Sequence, residues 1–317
     1  MTNLPASLRE TLEEKACMER LQIQTLLTAK DQTVKVLMQL PSGRKVETVL
    51  IPSLDSRGNA YRLTVCVSSQ VGCAMGCTFC ATGRMGFQEN LTCGQIVDQV
   101  SYMREVAHER FGRDISNVVF MGMGEPLLNY DALLASLEIL THPDAIGLSP
   151  KRITVSTVGL ARRIRDLAND APKIGLAVSL HAPDELKRSG IMPINRSEAT
   201  DLVALESAMK YHTTTTGRRL TFEYCLFRGF NDSASDARAL ARLCHRVHAK
   251  VNIIMYNSVP GIDFERTSEA RLNDFMAHLS ARGITVTVRR SRGADIAAAC
   301  GQLANQEKAE SAKPPTI

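Results

Sequence analysis

The sequence predicts an α/β fold in which parallel strands alternate with helices, preceded by a small α+β accessory unit. From about residue 60 onward, short apolar runs typical of buried strands alternate with stretches whose apolar residues recur at helical spacing. Polar or glycine-rich motifs follow several of the strand-like runs, as expected where parallel strands point their carboxyl ends at a site. Repeated βα units of this kind imply helices outside a sheet that is closed or partly closed into a barrel.

The length and composition fit one large domain or two ordinary ones. The chain has 317 residues, 44% of them hydrophobic, and a net charge of +5, which is mildly basic and compatible with an RNA partner. We divide it into an accessory unit over residues 1–58, a catalytic core over 59–304 and a polar tail over 305–317. The tail carries two prolines and is predicted to be disordered.

The accessory unit is predicted to contain helices and a hairpin. Residues 2–30 are expected to form short helices, because leucines recur every four residues near the start. Residues 33–40 and 44–51 alternate apolar and polar side chains on either side of a Pro-Ser-Gly turn, which predicts a β-hairpin.

The core is predicted to contain seven strands with helices between most of them. The predicted strands are residues 63–67, 117–121, 152–156, 174–180, 220–226, 251–256 and 284–288. The predicted helices are residues 95–111, 131–141, 160–169, 198–211, 233–249 and 268–282. Chemistry-bearing residues follow four of these strands, at 122–126, 156–157, 179–181 and 256–257, so we expect them at one end of the barrel.

Three cysteines, Cys73, Cys77 and Cys80, stand at intervals of three and two intervening residues. Three thiolates can hold three irons of a cubane 4Fe–4S cluster and leave the fourth iron open for chemistry. A structural zinc site is an alternative, but it needs four ligands, and no His or Cys lies close enough downstream to complete a standard finger. A disulfide would leave one cysteine odd, and nine cysteines without a signal peptide or membrane span indicate a reducing compartment. Three buried cysteines without a metal are the remaining alternative.

This cysteine pattern, with Phe79 before the third cysteine, resembles the radical S-adenosylmethionine (SAM) enzymes. The longer segments 66–73, 80–87 and 299–303 closely resemble the RlmN/Cfr family of radical SAM methyltransferases, which act on adenine in RNA. The resemblance covers about residues 1–304. It implies a radical SAM partial (β/α)6 barrel, a 4Fe–4S cluster held by the three cysteines, and two SAM molecules per turnover.

The resemblance also implies a chemistry that uses two further cysteines. Cys300 would be methylated by the first SAM, and a radical made from the second would remove hydrogen from that methyl group. The carbon radical would add to adenine and leave the RNA tied to Cys300, until a base took the ring proton and Cys66 attacked the sulfur to form a disulfide. The candidate base is Glu47. The alternatives are a buried strand cysteine for Cys66 and a solvent-facing strand glutamate for Glu47.

The resemblance assigns SAM contacts at the strand ends. A carboxylate can accept from the SAM amino group, and a glycine lets the backbone approach a ligand closely. The matching residues are Gly124, Glu125, Ser156, Ser179, Leu180, His181 and Asn257. By itself, His181 would more often be a structural residue at a strand end. Four cysteines match no motif and are expected to be core or incidental residues: Cys17, Cys93, Cys225 and Cys244.

Two departures from the family pattern are expected. Residues 53–62 are extra relative to the family, and family members begin further upstream with a small helical RNA-contacting segment. Basic residues near the predicted active-face loops are expected to contact RNA phosphates, although such residues are usually solvated. These are Lys151, Arg152, Arg162, Arg163, Arg165, Lys187, Arg188, Arg196, Arg218, Arg219, Arg289, Arg290 and Arg292.

The leading hypothesis is therefore an adenine C2 methyltransferase of 23S-type rRNA, with tRNA as a further substrate. The expected partners are RNA and an electron donor of the flavodoxin or ferredoxin type. The protein is expected to be a monomer without membrane association. Its expected location is the cytoplasm, or an organelle lumen in a eukaryote. The alternatives are a Cfr-type C8 methyltransferase, an RNA-binding paralogue that has lost catalysis, and another radical SAM enzyme such as a glycyl-radical activase, which would not need Cys66 and Cys300.

Overall fold

A computed structural model describes residues 4–15, 20–196 and 199–305 of the chain. Cys17 and residues 306–317, most of the tail predicted to be disordered, lie outside the described residues. Ten strands of the described chain form one sheet, and two short strands form a separate ribbon. No helix in the described part of the chain is long and apolar enough to cross a membrane.

The accessory unit contributes one helix and three antiparallel strands. Helix α1 spans Ala6–Lys15, and the strands β1, β2 and β3 span Gln22–Thr28, Val34–Gln39 and Lys45–Leu54. The hairpin of β2 and β3 is confirmed. Residues 2–30 were expected to be helical, and this is wrong for β1. This segment forms its backbone hydrogen bonds with β2, in an antiparallel pair, and not within a helix.

The accessory strands continue the sheet of the core. Strand β4, Ala60–Cys66, pairs antiparallel with β3, and the register sets Val49 opposite Cys66. Residues 53–62, which are expected to be extra relative to the family, form the turn end of this β3–β4 hairpin. They therefore lie at the far end of the hairpin from Glu47 and Cys66.

The core is a parallel sheet with six βα units and a last strand. After β4, its strands are β7 Asn117–Phe120, β8 Ile153–Thr157, β9 Gly175–Ser179, β10 Leu220–Leu226, β11 Ala249–Met255 and β12 Val286–Arg289. They pair in this order, each parallel to the next. No pairing between β12 and β1 occurs among the described residues, so the sheet is open there and forms a partial barrel. The predicted α/β fold class with a partial barrel is confirmed.

The helices cover the outside of the sheet. They are α3 Cys93–Phe111, α4 Tyr130–Thr141, α5 Ala161–Asp170, α6 Glu185–Ile191, α7 Leu202–Thr216, α8 Ala234–Val247 and α9 Glu269–Ser280. Helix α3 begins with a capping box in which the Thr92 hydroxyl accepts from the Gln95 amide and the Gln95 side chain accepts from the Thr92 amide. Helix α7 ends at Thr216, five residues later than predicted, because Gly217 adopts the left-handed conformation (φ 65°) that ends helices.

A small ribbon and a short helix connect β4 to α3. The ribbon pairs β5 Gln70–Gly72 with β6 Phe87–Asn90, and helix α2, Ala81–Arg84, lies between them. The sequence patterns did not predict these three short elements. They frame the three-cysteine loop, residues 73–80, which rests on a second small hydrophobic cluster formed in part by Met192, Phe227 and Tyr256.

Candidate active site

A cavity of about 770 Å³ opens inside the partial barrel. Its wall includes the carboxyl ends of the parallel strands, the three-cysteine loop and the segment that carries Cys300. Eleven of the thirteen predicted site residues line it, and Leu180 and Glu47 do not. The eleven are Cys66, Cys73, Cys77, Cys80, Gly124, Glu125, Ser156, Ser179, His181, Asn257 and Cys300.

The three-cysteine loop is held in place by backbone hydrogen bonds at both ends. The Cys73 amide donates to the Gly86 carbonyl (2.9 Å), the Thr78 amide to Ile191 (3.0 Å) and the Ala81 amide to Gly301 (2.9 Å). Gly72 enters the loop with φ +71°, and a Cβ there would lie 1.8 Å from the Gly86 oxygen. Only glycine therefore fits at this position without moving the backbone.

The three thiols fit an iron–sulfur cluster by their chemistry. Burial raises the pKa of Cys73 to about 12 and raises the pKa of Cys77 and Cys80 as well, and the charges of these cysteines also affect one another. Among the described residues no group of three or more His, Cys, Asp or Glu side chains converges tightly enough to hold a metal ion. In a cubane cluster each thiolate binds a different iron, so the three sulfurs do not have to converge on one point.

Glu125 lies beside this loop on the cavity wall. Its carboxylate accepts from the Leu127 amide (3.1 Å) and the Val158 amide (2.8 Å). Burial nevertheless raises the pKa of Glu125 to about 7. The preceding Gly124 has φ +95°, and a Cβ would meet Gln70 at 2.5 Å, so this turn also requires glycine. The pair provides a buried acceptor suited to an amino group.

The next strand ends place Ser156, Ser179 and His181 on the cavity. The His181 ring is neutral, because burial lowers its pKa to about 3, and its Nδ1 accepts from the Cys225 amide (3.0 Å). Phe79 packs edge-on against it at 4.7 Å between ring centroids. Leu180 is fully buried behind the wall, so only its backbone could serve a ligand.

Cys66 and Cys300 approach the cavity from different elements. Cys66 ends β4 and is buried, whereas Cys300 lies on an irregular segment and is exposed to the cavity. Both are free thiols. Burial raises the pKa of both, that of Cys66 to about 12, and the positive charge of Arg289 opposes the rise in each.

Two charged residues of the cavity were not expected there from the sequence motifs. Glu223 on β10 accepts two hydrogen bonds from the Asn252 amide (2.9 and 3.0 Å), and Arg289 at the end of β12 donates to the Met121 sulfur (3.1 Å). Arg289 was expected among RNA-contacting residues, but it lines the cavity and interacts electrostatically with Glu223, Cys66 and Cys300. Cys225, expected to be a core or incidental residue, is buried in a hydrophobic cluster and also lines the cavity. Alternate residues of a strand point to the same face of the sheet, so their spacing along the strands could have identified these residues as facing the barrel interior.

Asn257 holds the Cys300 segment to the strand end. Its side-chain amide donates to the Cys300 carbonyl (3.3 Å), and the Ser291 hydroxyl donates to its oxygen. The predicted SAM contact therefore also has a partner within the chain.

Glu47 lies outside the cavity wall. It is buried, pairs with Lys35 at 2.7 Å, and accepts from the amides of Ala304 (2.8 Å) and Asn305 (3.1 Å). The alternative of a solvent-facing glutamate is wrong, because this side chain is only 1% exposed. Its role as proton acceptor stays a prediction.

Arg188 was expected on an RNA-contacting surface, and this expectation is wrong. The side chain is fully buried and donates to the carbonyl oxygens of Ser179 (3.0 Å), Leu180 (2.8 Å) and Val158, and to the side chain of Asn195 (2.9 Å). The guanidinium thus ties together the ends of two strands, because its several donors can reach several carbonyl groups at once.

Comparison with known proteins gives consistent matches. The sequence model of the radical SAM superfamily matches residues 67–244. A probable dual-specificity RNA methyltransferase RlmN from Salinibacter ruber is 61% identical over 306 residues, which cover 96% of this chain and 83% of that protein. A dual-specificity RNA methyltransferase RlmN from Solidesulfovibrio magneticus is 45% identical, over 96% of this chain and 84% of that protein.

A solved structure also matches over nearly the whole chain. The crystal structure of a radical SAM methyltransferase from Sphaerobacter thermophilus superposes with a TM-score of 0.89 and 44% sequence identity, over 96% of this chain and 87% of that one.

Proposed function

The chain belongs to the RlmN family of radical SAM RNA methyltransferases, and we propose that it methylates C2 of adenine in 23S-type rRNA and in tRNA. The family relationship rests on identity over nearly the whole chain. The substrate and the position of methylation are inferences from the relatives and from the residues of the cavity.

One observation carries the proposal most directly. Two thiols outside the three-cysteine loop, Cys66 and Cys300, line the same cavity as that loop. The charge of a Cys300 thiolate reaches Cys66 and contributes to the rise in the pKa of Cys66. A radical SAM enzyme without a protein-bound methyl carrier would not need this second pair.

The cofactors would bind at the loop and the neighbouring strand ends. When bound to Cys73, Cys77 and Cys80, a 4Fe–4S cluster with SAM would supply the one-electron chemistry that removes hydrogen from a methyl group. Glu125 would accept from the SAM amino group, and Ser156, Ser179 and His181 would line the rest of the SAM site.

Cys300 and Cys66 would form the covalent bonds of the reaction, Cys300 to the methyl group and Cys66 to Cys300. The Cys300 thiolate would take the methyl group of a first SAM by displacement, with S-adenosylhomocysteine as the leaving group, and Arg289 favours that thiolate by its positive charge. After the methyl carbon has become bonded to adenine, the adduct would lose the ring proton and one electron, for which the oxidised cluster would be the acceptor. Cys66 then attacks the Cys300 sulfur. The S–S bond forms as the sulfur–carbon bond breaks, the carbon takes up a proton, and a thiol reductant then restores both cysteines.

Glu47 is the candidate acceptor for the proton that leaves the adenine ring. Its carboxylate is engaged by Lys35 and by two backbone amides. To accept a proton from the substrate, it would have to exchange these partners.

The remaining expectations concern partners and setting. We propose that a flavodoxin- or ferredoxin-type protein supplies the electron, and that the enzyme works as a cytoplasmic monomer. The eight cysteines of the described residues are all free, which is compatible with a reducing compartment. Light scattering of the purified protein would test the monomer, and reduction of the cluster by each donor class would test the donor.

The substrate is tested by nucleoside mass spectrometry. Reconstituted enzyme is incubated without oxygen with SAM, reductant, and either rRNA or tRNA from a strain lacking the native methylase. A 2-methyladenosine peak supports the proposal, and 8-methyladenosine would contradict the assignment to C2. No methylated adenosine in either RNA, although SAM is cleaved, would contradict the proposed substrate.

A further inference from the structure

The segment that bears Cys300 is attached to the accessory strands on both sides of the cysteine. We call residues 293–305 the carrier segment. Before Cys300, the Ala297 carbonyl accepts from the Lys35 ammonium at 3.3 Å. After Cys300, the amides of Ala304 and Asn305 donate to one carboxylate oxygen of Glu47, at 2.8 and 3.1 Å.

Lys35 and Glu47 form one buried ion pair. The Lys35 nitrogen lies 2.7 Å from the other Glu47 oxygen, and the two side chains are 5% and 1% exposed. They project from paired strands, since Lys35 on β2 is opposite Val49 and Leu37 is opposite Glu47. A buried ion pair needs further hydrogen bonds to offset the loss of water. Here the backbone of the carrier segment provides them.

We propose that the Lys35–Glu47 pair positions the carrier segment, so that Lys35 is a positioning residue for Cys300. The inference rests on the proposed function in one respect, namely that Cys300 is the methyl carrier. The pair fixes the chain three residues before Cys300 and four to five residues after it. Short loops with fixed ends have little freedom left to lose, so Cys300 is held at the cavity wall.

Other contacts hold the middle of the carrier segment. The Thr82 hydroxyl donates to the Leu303 carbonyl at 2.6 Å, and the Ala81 amide donates to that of Gly301. The effect of the ion pair is therefore expected mainly at the two ends of the segment, and above all at the amides that Glu47 binds.

Amide hydrogen exchange of the full chain, purified without cluster or SAM, tests the inference. The variants are Lys35→Met, and Lys35→Met combined with Glu47→Gln, which removes both charges and leaves no unpaired buried ion. The double variant should speed exchange in peptides covering residues 297–305 by about tenfold or more, because local opening no longer breaks charge-assisted contacts. Lys35→Met alone should speed exchange mainly near Ala297, because it removes the ammonium donor there while the Glu47 carboxylate still binds the amides of Ala304 and Asn305. Lys35→Arg should restore much of the protection.

The controls separate local release from unfolding. Arg104→Met breaks the surface pair with Asp114 and should leave exchange in residues 297–305 unchanged. Peptides from β10 should exchange as in the wild type in every variant. If peptides from β10 exchange faster in Lys35→Met, that variant is partly unfolded, and the inference is then judged on the double variant.

Wild-type exchange of residues 297–305 in a folded double variant would overturn the inference. Because the measurement needs neither cofactor nor RNA, it is separate from the proposed function. An enzyme that fails to methylate RNA while its carrier segment responds as expected would count against the function alone.

Discussion

Among single residues of the cavity, burial shifts the pKa of Glu125 and that of His181 in opposite directions. Glu125 keeps its proton up to a pKa of about 7, whereas His181 stays neutral down to about 3. A neutral His181 can accept from the backbone at all physiological pH values. Glu125, by contrast, changes its charge within the range in which the enzyme would work.

We predict that SAM affinity depends on the protonation of Glu125. Below pH 7 the free carboxyl group is protonated and must release its proton before it can accept strongly from an amino group. Affinity should therefore fall by up to about tenfold per pH unit below pH 7 and level off above it. Calorimetry of the cluster-loaded protein would measure this.

Glu125→Gln is the matched variant, since it keeps the shape of the side chain without the titration. It should bind SAM more weakly above pH 7 and lose the pH dependence that comes from the Glu125 carboxyl group. The pH dependence that comes from the SAM amino group should remain. An identical pH profile in variant and wild type would show that Glu125 does not contact the amino group.

At the scale of elements, the ribbon of β5 and β6 fixes the geometry of the three-cysteine loop. We predict that Gly72→Ala displaces this loop, because the added Cβ would lie 1.8 Å from the Gly86 oxygen. The iron bound per chain after reconstitution should fall by at least about half, and the free energy of unfolding should fall by about 1–3 kcal/mol.

Gly94→Ala is the control for this prediction. Gly94 lies in the first turn of α3, where a Cβ would meet its nearest neighbour at an ordinary 3.9 Å. Iron content should match the wild type there. Full iron loading in Gly72→Ala would show that the ribbon does not position the loop.

Much of the architecture was predictable because its signals are local. Strand and helix periods, polar motifs at strand ends and the cysteine spacing all lie in short windows, and they led to the core strands and to most of the cavity. Strand β1 was missed, since its hydrogen-bond partner β2 decides its conformation. The burial of Arg188 and the Lys35–Glu47 pair depend on contacts between distant segments, which a single sequence does not reveal.

At the scale of the whole molecule, the net charge of +5 is small for an RNA-binding protein. Binding must therefore depend on where the basic residues lie. Arg290 is exposed beside the cavity, next to the inward Arg289, and is a candidate for phosphate contact.

We predict that RNA affinity falls steeply with salt and that Arg290 contributes to the slope. Arg290→Ala should reduce the slope of log affinity against log salt by about 1 and weaken binding to all RNAs alike. Fluorescence anisotropy at several salt concentrations would measure both effects. Arg246→Ala, which removes a surface cation paired with Glu206, is the control, and an equal change there would contradict a specific contact by Arg290.

In the proposed reaction, Cys300 carries the methyl group and Cys66 releases the product. The most direct test is to incubate the Cys66→Ala variant with RNA, SAM and reductant, digest the products and identify by mass spectrometry any peptide bonded to a nucleotide. We expect an adenosine adduct on the peptide that contains Cys300. Free methylated RNA formed at the wild-type rate, or an adduct on another cavity thiol such as Cys225, would contradict it.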